Sequence, residues 1–178
     1  MKVIFLDRDG VVNREVGYLH KVADFRFIDG IFKACRYFQS LGFKLIIVTN
    51  QSGINRGYYQ ETDFHFLNKW MLLEFGDKNV EILDVFFCPH GPKSRCKCRK
   101  PRPGMLLQAR DKYKINMEYS WMIGDKESDI EAAMAAGIGN TILVRSGHII
   151  DERKTKAKFI LDSIRESKDI IRQHYDLQ

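Results

Sequence analysis

The sequence predicts an α/β fold in which a parallel sheet is covered by helices on both faces, giving three layers. Apolar runs without a polar break, of which residues 3–6 are the first, are typical of strands buried on both faces. Segments with the apolar spacing of helices separate these runs, and such alternation favours parallel strand pairing. No internal repeat or low-complexity linker interrupts the 178 residues, so we expect one domain over residues 1–178.

The first half of the chain is expected to supply three strands and two helices. The strands are predicted over residues 3–6, 44–48 and 83–87. The first helix covers residues 31–41 and ends at Gly42, and Thr62 caps the second, which reaches Phe75. In the second helix, the side chains predicted to face the core are Phe66, Leu67, Trp70 and Leu73.

The second half continues the alternation after an irregular stretch over residues 88–103. Helices are predicted over residues 105–113 and 128–136, the second closed by Gly137. Strands are predicted over residues 121–123, 141–144 and 159–161, with a last helix after them. The gaps between the polar motifs are too short for a separate cap domain.

Polar side chains follow three of the predicted strands where each strand ends. The clusters are Asp7 with Asp9, Thr49 with Asn50, and Asp125 with Asp129. In extended backbone Asp7 and Asp9 point to the same side, and Arg8 is expected to face away. For the first cluster taken alone, a polar turn after the strand is the alternative interpretation. Because parallel strands end at one sheet edge, where ligands bind, all three clusters together favour a functional site.

The residue types in these clusters suit phosphoryl transfer. Asp7, Asp9 and Asp125 offer hard oxygen ligands of the kind that magnesium binds while keeping several waters. A carboxylate beside the metal can act as a nucleophile and form an aspartyl-phosphate. Thr49 and a nearby lysine would supply hydrogen-bond donors to the transferring group.

Four residues between Cys88 and Cys98 have the chemistry of a zinc site. Cys88, His90, Cys96 and Cys98 supply four ligands within eleven residues, enough for a closed tetrahedral site. The alternatives are free thiols on a loop or a Cys96–Cys98 disulfide, which a reducing compartment and the short spacing disfavour. Four filled positions leave no open site, so we expect a structural zinc ion that holds the loop over residues 88–103.

Composition and charge limit the partners of the protein. The formal net charge of +6 favours anionic partners without distinguishing a phosphorylated metabolite from nucleic acid. The six basic residues within 93–102 lack aromatic neighbours for base stacking, so a nucleic-acid partner is not expected. No apolar run has the length of a secretion signal or a membrane span, so we expect a cytoplasmic protein without a membrane partner.

Four segments together resemble the motifs of the haloacid dehalogenase superfamily of phosphatases, in the same order: IFLDRDGVVN, VTNQSG, RKP and GDKESD. The resemblance implies that Asp7 is the nucleophile and Asp9 the general acid and base. It also implies that Thr49 and Lys100 hold the phosphoryl group. Magnesium would be bound by Asp7, Asp125 and the main-chain carbonyl of Asp9. Two interpretations of Asp129 stay open, support of the metal site or a place in the first turn of a helix.

Zinc-loop members of this superfamily include heptose bisphosphate phosphatases and histidinol-phosphate phosphatases. Segments such as GYLHKVADFRFIDG and CRKPRPGML are similar to the heptose enzymes, whereas the five residues between His90 and Cys96 are closer to the histidinol-phosphate type. The resemblance implies an enzyme of heptose and lipopolysaccharide biosynthesis that removes the 7-phosphate of D-glycero-D-manno-heptose 1,7-bisphosphate. We expect the protein to be a monomer. Histidinol phosphate and a nucleic-acid end phosphate are the alternative substrates, and a non-enzymatic zinc module is the alternative class. The implied substrate contacts are Glu15, Val16, Gly17, Tyr18, Asn50, Gln51, Ser52 and Arg99.

Overall fold

Six strands form one parallel sheet in the computed structural model, which describes residues 1–175. They are β1 (Val3–Leu6), β2 (Lys44–Asn50), β3 (Ile82–Cys88), β4 (Trp121–Gly124), β5 (Asn140–Val144) and β6 (Phe159–Leu161). Their order in the sheet is β3-β2-β1-β4-β5-β6, and every neighbouring pair is parallel. The chain therefore moves outward from β1 to β3 and then returns to β4 beside β1. The crevice at this reversal is where parallel sheets bind ligands.

Helices cover both faces of the sheet. They are α1 (Ile31–Ser40), α2 (Ser52–Asn55), α3 (Glu61–Asp77), α4 (Gly104–Tyr113), α5 (Glu127–Ala135) and α6 (Ser167–Tyr175). Side chains alternate along β1, so that Ile4 and Leu6 join a core with α1, α3 and α6. Val3 and Phe5 join a second core with α4 and α5. Within residues 1–175, no helix has the length and apolar character that crossing a membrane requires.

The predicted strands are confirmed, with small differences at their ends. The strand over residues 159–161 has the predicted bounds, and β2 runs two residues further than predicted, to Asn50. The extension carries Thr49 and Asn50 inside the ladder, where they pair with Phe87 and Cys88 of β3. The short helix α2 follows at once and was not predicted, because four residues carry too little periodicity to be detected.

Helix α3 exposes two side chains that the sequence predicted to face the core. Phe66 and Leu73 are 68% and 61% exposed. The side chains that α3 buries are Phe64, Leu67, Met71 and Phe75. The prediction is confirmed for Leu67 and for Trp70, which packs against the core, but both sets have helical spacing, so periodicity alone could not exclude Phe66 and Leu73. The predicted cap is also wrong, since α3 begins at Glu61, after Gln60, whose N–H donates to the Asp63 carboxylate at 2.8 Å.

Candidate active site

The ends of β1 and β4 bring three aspartates into one buried cluster. One carboxylate oxygen from each of Asp7, Asp125 and Asp129 lies within 4.8 Å of the other two, and all three residues are buried. Asp7 follows β1, and its N–H donates to the Ile123 carbonyl of β4 at 3.0 Å, which fixes the two strand ends side by side. Asp129 lies in the first turn of α5. Like charges this close raise the free energy of the ionised site unless cations balance them.

Lys100 supplies one of these cations from the irregular loop after β3. Its Nζ lies 2.9 Å from Asp7 Oδ1 and 2.6 Å from an Asp129 oxygen, and it donates to the Val48 carbonyl at 2.7 Å. The side chain is almost completely buried. Burial alone would lower the pKa of Lys100, but the charges of Asp129 and Asp7 raise it above its usual range. Lys100 is therefore a permanent ammonium ion inside the acidic cluster.

Two further contacts fix the position of Lys100. The Asn50 side chain donates to the Lys100 carbonyl and accepts from the Lys100 N–H, both at 3.1 Å. Asp129 accepts a hydrogen bond from the Lys126 N–H at 3.1 Å through its second oxygen, at the start of α5. Asp129 lies in the first turn of the helix and forms an ion pair with Lys100. It also belongs to the acidic group that could hold a metal ion, so its support of a metal site stays a prediction.

Asp125 has the environment of a metal ligand. Its Oδ2 accepts hydrogen bonds from the His148 N–H at 3.0 Å and from His148 Nδ1 at 2.6 Å. Its Oδ1 is buried and meets no donor from the part of the chain that the structure describes. Burial, with the charges of Asp7 and Asp129, raises the pKa of Asp125 to about 9. An unpaired buried oxygen among three carboxylates fits a divalent cation that prefers oxygen ligands, such as magnesium.

Burial and the Lys100 ammonium have opposite effects on the pKa of Asp7. Burial raises the pKa of Asp7 to about 6, while Lys100 acts in the opposite direction. Its Oδ1 accepts hydrogen bonds from Lys100 Nζ and, at 2.8 Å, from the Arg8 N–H. Both hydrogen bonds lie on Oδ1, so the second carboxylate oxygen is the atom left for a ligand or substrate.

The alternation of an extended strand predicted that Arg8 faces away from Asp9, and this prediction is wrong. Its guanidinium is buried, donates to both Asp9 oxygens at 3.0 Å and also donates to the Leu19 carbonyl. The chain turns directly after β1, so strand alternation does not continue to this residue. Burial would raise the pKa of Asp9, but the Arg8 charge and hydrogen bonds from Asn13 and Gln51 lower it below its usual range.

The Gln51 side chain connects Thr49 to Asp9. Its Nε2 donates to Thr49 Oγ1 at 2.8 Å and to Asp9 Oδ2 at 3.1 Å. Its Oε1 accepts from the Tyr59 hydroxyl at 2.6 Å. The structure thus gives Gln51 a positioning contact to two of the predicted catalytic residues. The hydrogen bond from Tyr59 was not predicted, because the turn after α2, rather than a local sequence pattern, brings its hydroxyl to Gln51.

The loop after Arg14 forms one wall of a cavity of about 320 Å³. Glu15, Gly17 and Tyr18 line it, whereas Val16 between them is exposed to solvent. Gly17 and Tyr18 both have positive φ angles, and Glu15 accepts a hydrogen bond from the Gly17 N–H at 2.6 Å. The positive φ angles of Gly17 and Tyr18 turn the loop back over the cavity.

The opposite wall holds the other predicted substrate contacts and residues that the sequence did not suggest. Ser52 and Arg99 line the cavity together with Arg56, Lys126 and His148. Arg99 also donates from Nη1 to the His90 carbonyl at 3.2 Å, which ties it to the cysteine-rich loop. His148 was not assigned a role from sequence. The available signal was its position four residues after the end of β5, on the same sheet edge as the other clusters.

The structure brings Cys88, His90, Cys96 and Cys98 together. The His90 Nδ1 lies 3.5 Å from the Cys88 sulfur and 3.3 Å from the Cys98 sulfur, and Cys88 and Cys96 are 3.7 Å apart. Bond lengths to tetrahedral zinc imply about 3.5 Å between nitrogen and sulfur and about 3.8 Å between sulfurs. The 3.1 Å between Cys88 and Cys98 is shorter than this but far longer than a disulfide bond. The cluster therefore fits a zinc ion better than a disulfide.

Heptose bisphosphate phosphatases are among the known proteins that are similar to this chain. The HAD-hydrolase-like family model matches residues 97–167. D-glycero-beta-D-manno-heptose-1,7-bisphosphate 7-phosphatase of Yersinia pestis is 44% identical, over 97% of this chain and 96% of that protein. The D-glycero-alpha-D-manno-heptose-1,7-bisphosphate 7-phosphatase of Photorhabdus laumondii is 46% identical, over 85% and 87%. The crystal structure of D,D-heptose 1,7-bisphosphate phosphatase from B. bronchiseptica, complexed with magnesium and phosphate, has a TM-score of 0.86 and 28% identity, over 98% and 99%.

The raised pKa values of Asp7 and Asp125 predict that the magnesium-free protein loses stability as pH rises. Below pH about 4 the carboxyls are protonated in both states. Above pH about 4 the two carboxyls of the unfolded chain lose their protons. In the folded protein Asp7, with a pKa of about 6, and Asp125, with a pKa of about 9, keep their protons to higher pH. Asp125→Asn should therefore unfold at least about 4–8 °C above wild type at pH 8, the shift for about 2 kcal/mol, with a smaller gap at pH 5.

Thermal unfolding at both pH values, with and without magnesium, measures this gap. Magnesium should close it by stabilising the wild type only. Asp111→Asn is the control, because Asp111 is exposed and its pKa is lowered by hydrogen bonding to Arg110. A gap between wild type and Asp125→Asn that is equal at pH 5 and pH 8 contradicts the account of the buried cluster.

Proposed function

This chain belongs to the haloacid dehalogenase-like hydrolase family that includes the heptose bisphosphate phosphatases, and we propose that it is a magnesium-dependent phosphatase. Its proposed reaction removes the 7-phosphate of D-glycero-D-manno-heptose 1,7-bisphosphate. The observation that carries the proposal is the buried group of Asp7, Lys100 and Asp129 beside the unpaired oxygen of Asp125. The names of relatives with 44% and 46% identity over most of the chain support the substrate.

The magnesium ion would be held by Asp7, Asp125 and the main-chain carbonyl of Asp9. When bound, it neutralises charge on the carboxylates and on the phosphoryl oxygens. The solved relative complexed with magnesium and phosphate supports magnesium as the metal. The unpaired Asp125 Oδ1 and the raised pKa of Asp125 are the features of this chain that favour it.

The proposed nucleophile is the Asp7 oxygen that Lys100 and the Arg8 N–H leave unoccupied. It would attack phosphorus, the bond from phosphorus to the sugar oxygen would break, and Asp9 would protonate the leaving alcohol. Asp9 would next take a proton from water, whose oxygen attacks phosphorus and releases phosphate from Asp7. The first step requires protonated Asp9 and the second step ionised Asp9, and the pairing with Arg8 favours the ionised form.

Thr49 and Lys100 would hold the transferring phosphoryl group. Thr49 lies at the end of β2 with its hydroxyl fixed by Gln51, and the Lys100 ammonium already lies between two carboxylates. Phosphoryl transfer is accelerated mostly by positioning and charge neutralisation. Both residues are pre-positioned for this role before a substrate arrives.

A structural zinc ion in the cluster of Cys88, His90, Cys96 and Cys98 would fix the loop that presents Lys100. Lys100 follows Cys98 by two residues. Arg102 adds hydrogen bonds to the Ser94 and Cys96 carbonyls at 2.9 and 2.6 Å, which brace the same loop. The catalytic lysine therefore depends on a segment with little regular structure of its own.

Asp7→Asn should abolish turnover without unfolding the protein, because an amide does not attack phosphorus. We expect at least the loss of about 10²–10⁴ in kcat that is typical for removing one essential catalytic group. The measurement is phosphate release with magnesium, beside a thermal unfolding curve. Asp111→Asn, the same change at an exposed site paired with Arg110, should retain the wild-type rate. An Asp7→Asn variant with near wild-type kcat would rule out the proposed nucleophile.

The zinc proposal predicts one tightly held zinc ion per chain, lost from the double variant Cys96→Ser/Cys98→Ser. Loss of zinc should lower the melting temperature and kcat together, because the same loop carries the metal and Lys100. Elemental analysis of protein purified without added metal measures the ion. Cys35→Ala is the control for zinc content, since Cys35 lies on α1 and is buried in the hydrophobic core outside the zinc cluster. Zinc-free wild type that is stable and fully active would contradict the structural role.

Arg99 is proposed to select the second anion of the substrate. Its guanidinium lines the cavity while Lys100 occupies the aspartate cluster, so the two cations serve different groups. A guanidinium binds phosphate through two parallel hydrogen bonds. The cationic amine of histidinol phosphate would instead be repelled by Arg99.

Arg99→Ala should therefore lower kcat/KM for the heptose bisphosphate about 10- to 150-fold, the equivalent of about 1.5–3 kcal/mol. The loss should be much smaller for a sugar monophosphate and for histidinol phosphate. Arg95→Ala, on the same loop but exposed, is the matched control. Equal losses on all three substrates, or a wild-type preference for histidinol phosphate, would defeat the substrate assignment and leave the phosphatase proposal standing.

A further inference from the structure

The two oxygens of the buried Asp125 carboxylate have opposite environments. Oδ2 accepts two hydrogen bonds, both from His148, through its backbone N–H at 3.0 Å and its Nδ1 at 2.6 Å. Oδ1 is equally buried and meets no donor from any described residue. Once Asp125 is ionised, as a cation ligand must be, its carboxylate can only accept, so Nδ1 is then the donor in the shorter contact. His148 therefore determines which oxygen of Asp125 stays available.

Two glycines allow the backbone to close around the same oxygen. An added Cβ at Gly10 or at Gly147 would overlap with Asp125 Oδ2. The Ser146 hydroxyl donates to the Gly10 carbonyl at 2.6 Å and joins these two segments. The segment Ser146–Gly147–His148, which we call the β5 strap, thus crosses over Asp125 and is tied to the loop that carries Asp7 and Asp9.

We propose that His148 is a positioning residue that fixes the rotation of the Asp125 carboxylate so that Oδ1 faces the divalent cation. The inference rests on the magnesium site of the proposed function. Hydrogen bonds to the far oxygen of a metal-binding carboxylate keep the ligand in place, and their loss typically weakens metal affinity about 10- to 100-fold. The side chain of His148 is itself half-buried and lines the substrate cavity, which places the strap between solvent and the metal site.

The test is binding of Mn²⁺, used as a paramagnetic substitute for magnesium, to the zinc-containing protein without substrate. Free Mn²⁺ is followed by electron paramagnetic resonance during a titration. His148→Ala keeps the backbone donor but removes Nδ1, and we expect about 10- to 100-fold weaker binding. His148→Asn places an amide N–H near the position of Nδ1 and should bind within about threefold of wild type.

Two controls isolate the effect. His65→Ala changes an exposed histidine that pairs with Glu61 outside the site and should leave Mn²⁺ affinity unchanged. Asp125→Asn should abolish the site and defines the background. Saturating magnesium should restore most of the kcat of His148→Ala, because the change acts through metal affinity rather than through the chemical step.

Mn²⁺ binding tests the magnesium site and the positioning role of His148 separately. If wild type binds no Mn²⁺ at millimolar concentration, the proposed magnesium site itself is wrong. If wild type binds and His148→Ala binds equally well, the positioning role is wrong and the proposed function stands. Equal loss of Mn²⁺ affinity in His148→Ala and His148→Asn also overturns the positioning role, because a restored hydrogen-bond donor then fails to restore metal binding by Asp125.

Discussion

Three carboxylates buried within 4.8 Å of one another are the constraint on which the rest of this structure depends. Ionised groups this close and this far from water repel strongly, and the site is stable only when protons or cations balance them. Lys100 supplies one positive charge, and the unpaired oxygen of Asp125 indicates where a second is needed. The same balance serves phosphate chemistry, because a site that demands cations also attracts and neutralises a phosphoryl group.

Much of the fold serves to bring Lys100 to this point. Lys100 is 93 residues from Asp7 in sequence and lies on a segment without helix or strand. Three separate contacts hold that segment: the clustered Cys and His side chains, the Asn50 clamp at the end of β2, and the hydrogen bonds of Arg102. Each contact is anchored on a strand end or on the loop itself, so the parallel sheet sets the position of the lysine.

The sequence predicted what depends on local pattern and missed what depends on contacts across the fold. Apolar runs located every strand, and their alternation with helices gave the parallel sheet and the edge at which Asp7, Asp125 and Asp129 meet. The inward face of α3 was predicted correctly for Leu67 and Trp70 but not for Phe66 and Leu73, because overlapping apolar stripes share the helical period and only packing chooses between them. Arg8 and His148 were missed because their partners are set by a turn and by a strap after β5.

We propose that the oxygen of Asp7 left unoccupied by Lys100 attacks phosphorus. The most direct measurement is rapid quenching during turnover of the heptose bisphosphate, followed by borohydride reduction and mass spectrometry of the peptide that contains residue 7. Borohydride reduces an acyl-phosphate, so the account predicts homoserine in place of Asp7 at early times and its decline as substrate is consumed. Phosphate release with Asp7 unmodified at every time point, or reduction at a different carboxylate, would contradict it.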